Sequence, residues 1–111
     1  MSPAAQPKFA RVWRGRTRRD KADEYEHYLL QNGIAQLEAK GASGVQMFRD
    51  DRETETEFVT ISYWESVDAM TGGTKADPRR PHHLERDAEF LIELPQSVQI
   101  LTILETRGRC I

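Results

Sequence analysis

The stretch EFVTISYWES, Glu57 to Ser66, constrains this chain more than any other. Its β-branched and aromatic residues alternate with hydroxyl and acidic ones, which is the period of a half-buried strand. Phe58, Thr60, Ser62 and Trp64 share one face; Val59, Ile61 and Tyr63 share the other. The first face therefore carries an aromatic at each end and two hydroxyls between. That mixture suits a half-apolar pocket with a few polar anchors. Ordinary packing of the Trp64 indole beneath a helix is the competing reading.

The elements around this strand follow from local signals. KFARVWRGRT (Lys8 to Thr17) alternates as a strand, with Trp13 and Val12 on opposite faces and Arg11, Arg14 and Arg16 decorating it. Asp20 is the expected N-cap of a helix through KADEYEHYLLQNGIAQLEAKG. Its expected buried positions are Ala22, Tyr25, Leu29 or Leu30, Ile34 and Leu37, with a break near Asn32-Gly33 and His27 exposed. GVQMFRD (Gly44 to Asp50) is a second strand, joined to Glu57–Ser66 by a charged turn, DRETET. Ser66 caps a short helix that Gly72-Gly73 stops. SVQILTILE closes the domain as a final strand.

That order, β-α-β-β-α-β, is the ferredoxin-like α+β arrangement: an antiparallel sheet with helices on one face. The other face stays open, and a second subunit is the commonest cover. A chain of 111 residues forms one domain, expected over residues 8–106, with a disordered tail at 1–7 and a short polar tail at 107–111. With 38% hydrophobic and 31% charged residues, it gains from burying surface against a second copy.

Composition narrows the function classes. A net charge of −2 gives no global pull toward nucleic acid or membrane. No apolar run approaches the roughly 20 residues that span a bilayer. MSPAAQPKF lacks the apolar core of a secretory signal, and the single Cys110 offers neither a disulfide framework nor a thiolate zinc site. A cytoplasmic protein is expected. EFVTISY superficially resembles the base-stacking strand of RNA-recognition motifs, but Glu55 and Glu57 stand where phosphate would approach, so nucleic acid is not an expected partner. The acidic run DDRETETE lacks the glycine that folds a calcium loop and reads as an exposed hairpin turn.

His82 and His83 lie in PRRPHHLERDAEFL, behind an Arg-Arg-Pro turn. Adjacent histidines in extended chain point in opposite directions, so the pair is not expected to chelate a metal. One of them lining a pocket is more credible, since neutral imidazole can accept or donate a proton near pH 7. An exposed loop is the plain alternative for each.

FVTISYWESVDAM, a strand ending in Trp-Glu-Ser and running into a helix, resembles the antibiotic biosynthesis monooxygenase family. So does the opening segment from ARVWRGRT to GVQMFRDDRE, with its Tyr-rich helix and Gly-initiated second strand, and AEFLIELPQSVQILTIL resembles the family's closing segment. The resemblance covers roughly residues 9 to 105. It implies a homodimeric α+β barrel, two sheets packed face to face, with a pocket between sheet and helices in each subunit. It also implies a monooxygenase that oxidises an aromatic or polyketide-like substrate with dioxygen and no cofactor. Other implied readings are a non-catalytic module that binds a small hydrophobe, or a heme-binding or heme-degrading protein. Trp64 matches the family pattern. Thr60 stands where the quinone-forming members place Asn, and Thr74 where the heme-degrading type places its His. The expected pocket then has Trp64 as its wall, Thr60 and Ser62 as anchors, His82 or His83 as the catalytic group at its mouth, and Tyr25 and Tyr28 on the opposite side.

Overall fold

The computed structural model describes residues 6–108. Strand β1 (Phe9–Arg18) leads through a 3-10 turn (Arg19–Lys21) into helix α1 (Ala22–Ala39). Strands β2 (Gly44–Asp51) and β3 (Glu55–Trp64) form a hairpin, followed by α2 (Val67–Met70), α3 (Asp87–Phe90) and β4 (Gln99–Thr102). Every pairing is antiparallel, and the spatial order is β2-β3-β1-β4. β1 and β2 thus run parallel with β3 inserted between them, the split βαβ of the ferredoxin-like α+β fold.

Register sets what shares a face. Phe9 pairs with Trp64, Arg11 with Ser62, Trp13 with Thr60 and Gly15 with Phe58. On the other side of β3, Val45 pairs with Ser62 and Met47 with Thr60. All these side chains lie on the helix-covered face, because directly opposed residues of an antiparallel pair point the same way. The reverse face carries half-buried Val59, Ile61 and Tyr63 together with Phe48 and Leu101, which are 47% and 46% exposed. Ten strand residues of β3 therefore divide into a covered row and an open apolar row, as their alternation requires.

Helix α1 lies across the covered face and differs from expectation at two points. Asp20 does not cap it: Asp20 sits in the 3-10 turn, where its carboxylate accepts from Arg18 Nη2 at 3.2 Å, and Lys21 occupies the cap position without a side-chain bond. Asp23 and Glu24 in the first turn place negative charge at the helix's positive end instead. Nor does the helix break at Asn32-Gly33. Asn32 Nδ2 donates back to the Tyr28 carbonyl at 2.8 Å, and Gly33 is buried against the sheet. A Cβ on Gly33 would sit 2.9 Å from the Met47 methyl, so the missing side chain lets α1 approach β2 closely. Leu29 rather than Leu30 turns inward; Ala22 and Tyr25 are buried as expected, Ile34 and Leu37 are half-buried, and His27 is exposed.

The second helical position is two short pieces. Ser66 Oγ accepts from the Ala69 amide at 3.1 Å and caps α2, and Gly72 and Gly73, both at positive φ, end it. A long irregular segment then reaches α3. Residues 1–5 of the expected N-terminal tail, and Cys110 with its neighbours in the C-terminal tail, lie outside the described residues.

The core forms where α1 and α3 meet the sheet. Tyr25 packs edge-on to Phe58, with centroids 5.2 Å apart, and lies 5.3 Å from Phe90. Trp13, Ala22, Leu29, Leu91 and Val98 complete the cluster. Arg49 ties β2 to the helix by bonding Asp23 at 2.8 Å and Glu26 at 3.3 Å. The acidic hairpin run is occupied in the same way: Glu55 pairs with Arg16 at 2.8 Å and Asp50 with Arg52 at 3.3 Å.

Candidate functional site

Between α1 and the upper half of the sheet lies a cavity of about 60 Å³. Its floor is the paired row of β1 and β3: Trp13 beside Thr60, and Arg11 beside Ser62, with Trp64 at the strand end. Leu29, Gly33 and Leu37 of α1 form the roof. Gln36, Lys40 and His82 are exposed members of the lining and mark the mouth. Strand parity places the floor residues here. Each lies two residues from the next along its strand, so one row of hydroxyl, indole and guanidinium groups faces one helix.

Trp64 is 1% exposed, and its Nε1–H donates to Ser62 Oγ at 2.9 Å. The bond satisfies the buried indole and fixes the plane of the wall. Ser62 acts there as an acceptor, which leaves its own proton to donate. Thr60 is buried between Trp13 and Met47 on the same floor.

The two histidines share an outer depression with Pro81, Leu94 and Pro95, and of the pair His82 alone also lines the cavity mouth. Partial desolvation at the mouth, then the charges of Lys40 and Arg11, lower the His82 pKa from its ordinary value and favour the neutral imidazole. Tyr25 and Tyr28 are not on the cavity surface. Tyr25 is fully buried behind it, and its hydroxyl donates to Asp87 Oδ1 at 2.9 Å. Burial, and next the Asp87 charge, hold that phenol far above its usual range, so it stays a donor. Tyr28 stacks on Phe90 at 5.8 Å, and its oxygen accepts from the Arg86 amide at 2.9 Å. The structure thus brings Trp64, Thr60, Ser62 and His82 together and leaves His83, Tyr25 and Tyr28 outside the lining.

Three ionisable groups on the lining were not expected from sequence: Lys40 at the mouth, Arg11 and Asp87. Arg11 is only 8% exposed, and its guanidinium donates to the carbonyls of Pro78 at 3.3 Å and Arg80 at 2.9 Å. Burial alone pulls its pKa below the ordinary arginine range. Asp87 is buried at the opposite side, accepting from the Leu84 amide at 2.8 Å and from Tyr25. Burial raises its carboxyl above the usual range, although both hydrogen bonds favour the charged form. Arg11 had a signal: it shares parity with Trp13. Asp87 had none, because α3 is a single turn whose orientation is set by tertiary packing. Among the described residues, no cluster of three or more His, Cys, Asp or Glu is arranged to hold a metal ion. No helix among them is long and apolar enough to cross a membrane.

Comparison with known proteins matches residues 9–83 to the family described as antibiotic biosynthesis monooxygenase. No curated protein sequence matches. A crystal structure from Bacillus cereus, provisionally named an antibiotic biosynthesis monooxygenase, superposes with a TM-score of 0.63 at 11% identity, covering 93% of this chain and 99% of its own. At that identity the likeness shows the fold.

Proposed function

The chain belongs to the antibiotic biosynthesis monooxygenase family, and from that premise we propose that it oxidises a small, electron-rich aromatic substrate with dioxygen and without a cofactor. The observation that carries the reading is the cavity between α1 and the sheet, walled by two indoles and edged by the His82 imidazole.

The chemistry asks three things of such a site. A phenolic substrate must lose a proton, so that the electron-rich anion can pass an electron to dioxygen. His82 is the proton acceptor in this reading; its lowered pKa favours the neutral imidazole, and positioned bases typically contribute about 10²–10⁴-fold in rate. The developing oxyanion needs donors, and Thr60 and Ser62 offer hydroxyls on the floor. Reactive intermediates must be kept from water, and Trp13 with Trp64 provides the apolar enclosure. The balance then closes within the substrate. One oxygen atom replaces two hydrogens of an activated CH2 as a new carbonyl, the other leaves as water, and the substrate supplies all four electrons.

Cavity size bears on the substrate. At about 10–15 Å³ per ordered water, 60 Å³ holds only a few waters, less than the roughly 150 Å³ of a cavity that takes up benzene, so in this proposal the ring enters in part and the rest of the substrate lies across the open mouth. The working unit in this proposal is a homodimer closed through the open sheet face, where Val59, Ile61, Phe48 and Leu101 present an apolar surface. Oxygen uptake with an anthrone-type phenol tests the reading. Trp64→Ala is expected to remove ligand binding from a folded protein, and His82→Ala to remove turnover but spare binding. Binding of the aromatic with no uptake at all would make the protein a non-catalytic ligand-binding module.

A further inference from the structure

Arg11 is the least explained charge in the molecule. A guanidinium this buried is costly without an anion beside it, yet both its bonds go to neutral backbone carbonyls, and no charged partner offsets its burial. Lys40, at the C-terminal end of α1, faces the same cavity closely enough for Arg11 to oppose its charge. His82 stands at the same end and feels both cations. Among the described residues the only acid on the lining is Asp87, which already has one oxygen bonded by the Leu84 amide and the other by the Tyr25 hydroxyl. The cavity therefore has an apolar wall of two indoles and one cationic end that no anion among the described residues completes.

We infer that this end is an anion subsite: Arg11 and Lys40 together hold the carboxylate of an aromatic acid whose ring lies against Trp13 and Trp64. A guanidinium and an ammonium flanking one point recognise a carboxylate by charge-assisted hydrogen bonds, and a desolvated site strengthens them. Lys40 is exposed at the mouth, so it can meet an entering anion and follow it inward, while Arg11 is fixed by the Pro78 and Arg80 carbonyls. The inference rests on the cavity being the ligand site proposed above, but not on turnover.

Intrinsic tryptophan fluorescence reads this directly, because both tryptophans of the chain line the cavity. Titrations with benzoate and with its neutral near-isostere benzamide at pH 7 are expected to differ by about tenfold or more in favour of benzoate, the scale of one charge-assisted contact. Arg11→Met and Lys40→Met should each shrink that ratio toward one while leaving benzamide affinity in place. Arg11 also anchors the Pro78–Arg80 segment, so Arg11→Met can loosen the fold; Lys40→Met touches no such anchor and decides the matter alone. Equal affinities for the two probes, no benzoate binding at millimolar concentration, or an undiminished preference in Lys40→Met would each overturn the subsite. Anion preference without oxygen uptake would leave the subsite standing and remove the oxygenase. Uptake by a protein with no anion preference would do the reverse.

Discussion

Tyr25 on the first helix and Asp87 on the last short one meet through a 2.9 Å hydrogen bond, both side chains almost fully shielded from water. The contact closes the inner wall of the cavity: Asp87 lines it, and Tyr25 holds Asp87 from behind. Removing the hydroxyl leaves a buried carboxylate oxygen without its donor. Tyr25→Phe is expected to destabilise the fold by about 1–3 kcal/mol in urea unfolding at pH 7. A double-mutant cycle with Asp87→Asn should show coupling of about 0.5–3 kcal/mol. Simple additivity would mean the bond does not hold the wall.

Two glycines on the covered face should respond in opposite directions. A Cβ on Gly15 would fall 2.5 Å from the Trp13 indole and 3.1 Å from Leu91, and a rigid ring wedged over a strand cannot yield cheaply. Gly15→Ala is expected to cost about 1–3 kcal/mol. At Gly33 the nearest atom is the flexible tip of Met47, so Gly33→Ala should gain up to about 1 kcal/mol from helix propensity. Thermal melts of the two variants decide it, and matching signs would contradict the packing described.

What the sequence made legible follows from strand parity. Alternation along β3 placed Thr60, Ser62 and Trp64 on one row, and that row is the cavity floor. Of the adjacent His82 and His83, both border an outer depression and only His82 also reaches the cavity, a choice that adjacency alone does not make. Arg11 went unread because an arginine in a strand is usually a solvated decoration, although its spacing from Trp13 already pointed inward. Local signals failed where tertiary packing overrode them. Gly33 looked like a helix break, but it is the place where the helix touches the sheet. Asp20 looked like a cap, but the preceding 3-10 turn draws it to Arg18. Asp87 and the orientation of α3 depend on contacts with Tyr25, 62 residues away in sequence.

The open sheet face should associate. Sedimentation at micromolar concentration is expected to give twice the 12.8 kDa chain mass. Ile61→Glu, at the middle of β3 on that face, puts a charge into a two-fold interface twice over, so it should yield a folded monomer. A wild-type protein sedimenting at the single-chain mass would remove the dimer.

With His82 as the proposed base, the pH profile of oxygen uptake is expected to carry its signature. Its pKa in the folded protein lies below the ordinary 6.5, from burial first and from Lys40 and Arg11 next. For a histidine with a depressed folded value, the linked stability is present above 6.5 and is lost as pH falls through the folded value. Activity should follow the same sense: flat above 6.5, with an acid limb centred below it. Adding salt should shift that limb upward, because screening weakens the two cations. A limb centred above 6.5, or an unchanged limb in His82→Gln, would assign the base elsewhere.

In the proposed reaction the cavity beside Trp64 inserts one atom of dioxygen into an aromatic substrate that supplies its own electrons. Mass spectrometry of the product formed from an anthrone-type phenol under 18O2, with no metal, flavin or reductant added, measures this directly. One labelled oxygen is expected in the product and the second in water, with product falling by about 10²–10⁴-fold in His82→Ala. Product without label, or labelled product formed equally by a folded Trp64→Ala protein, would contradict it.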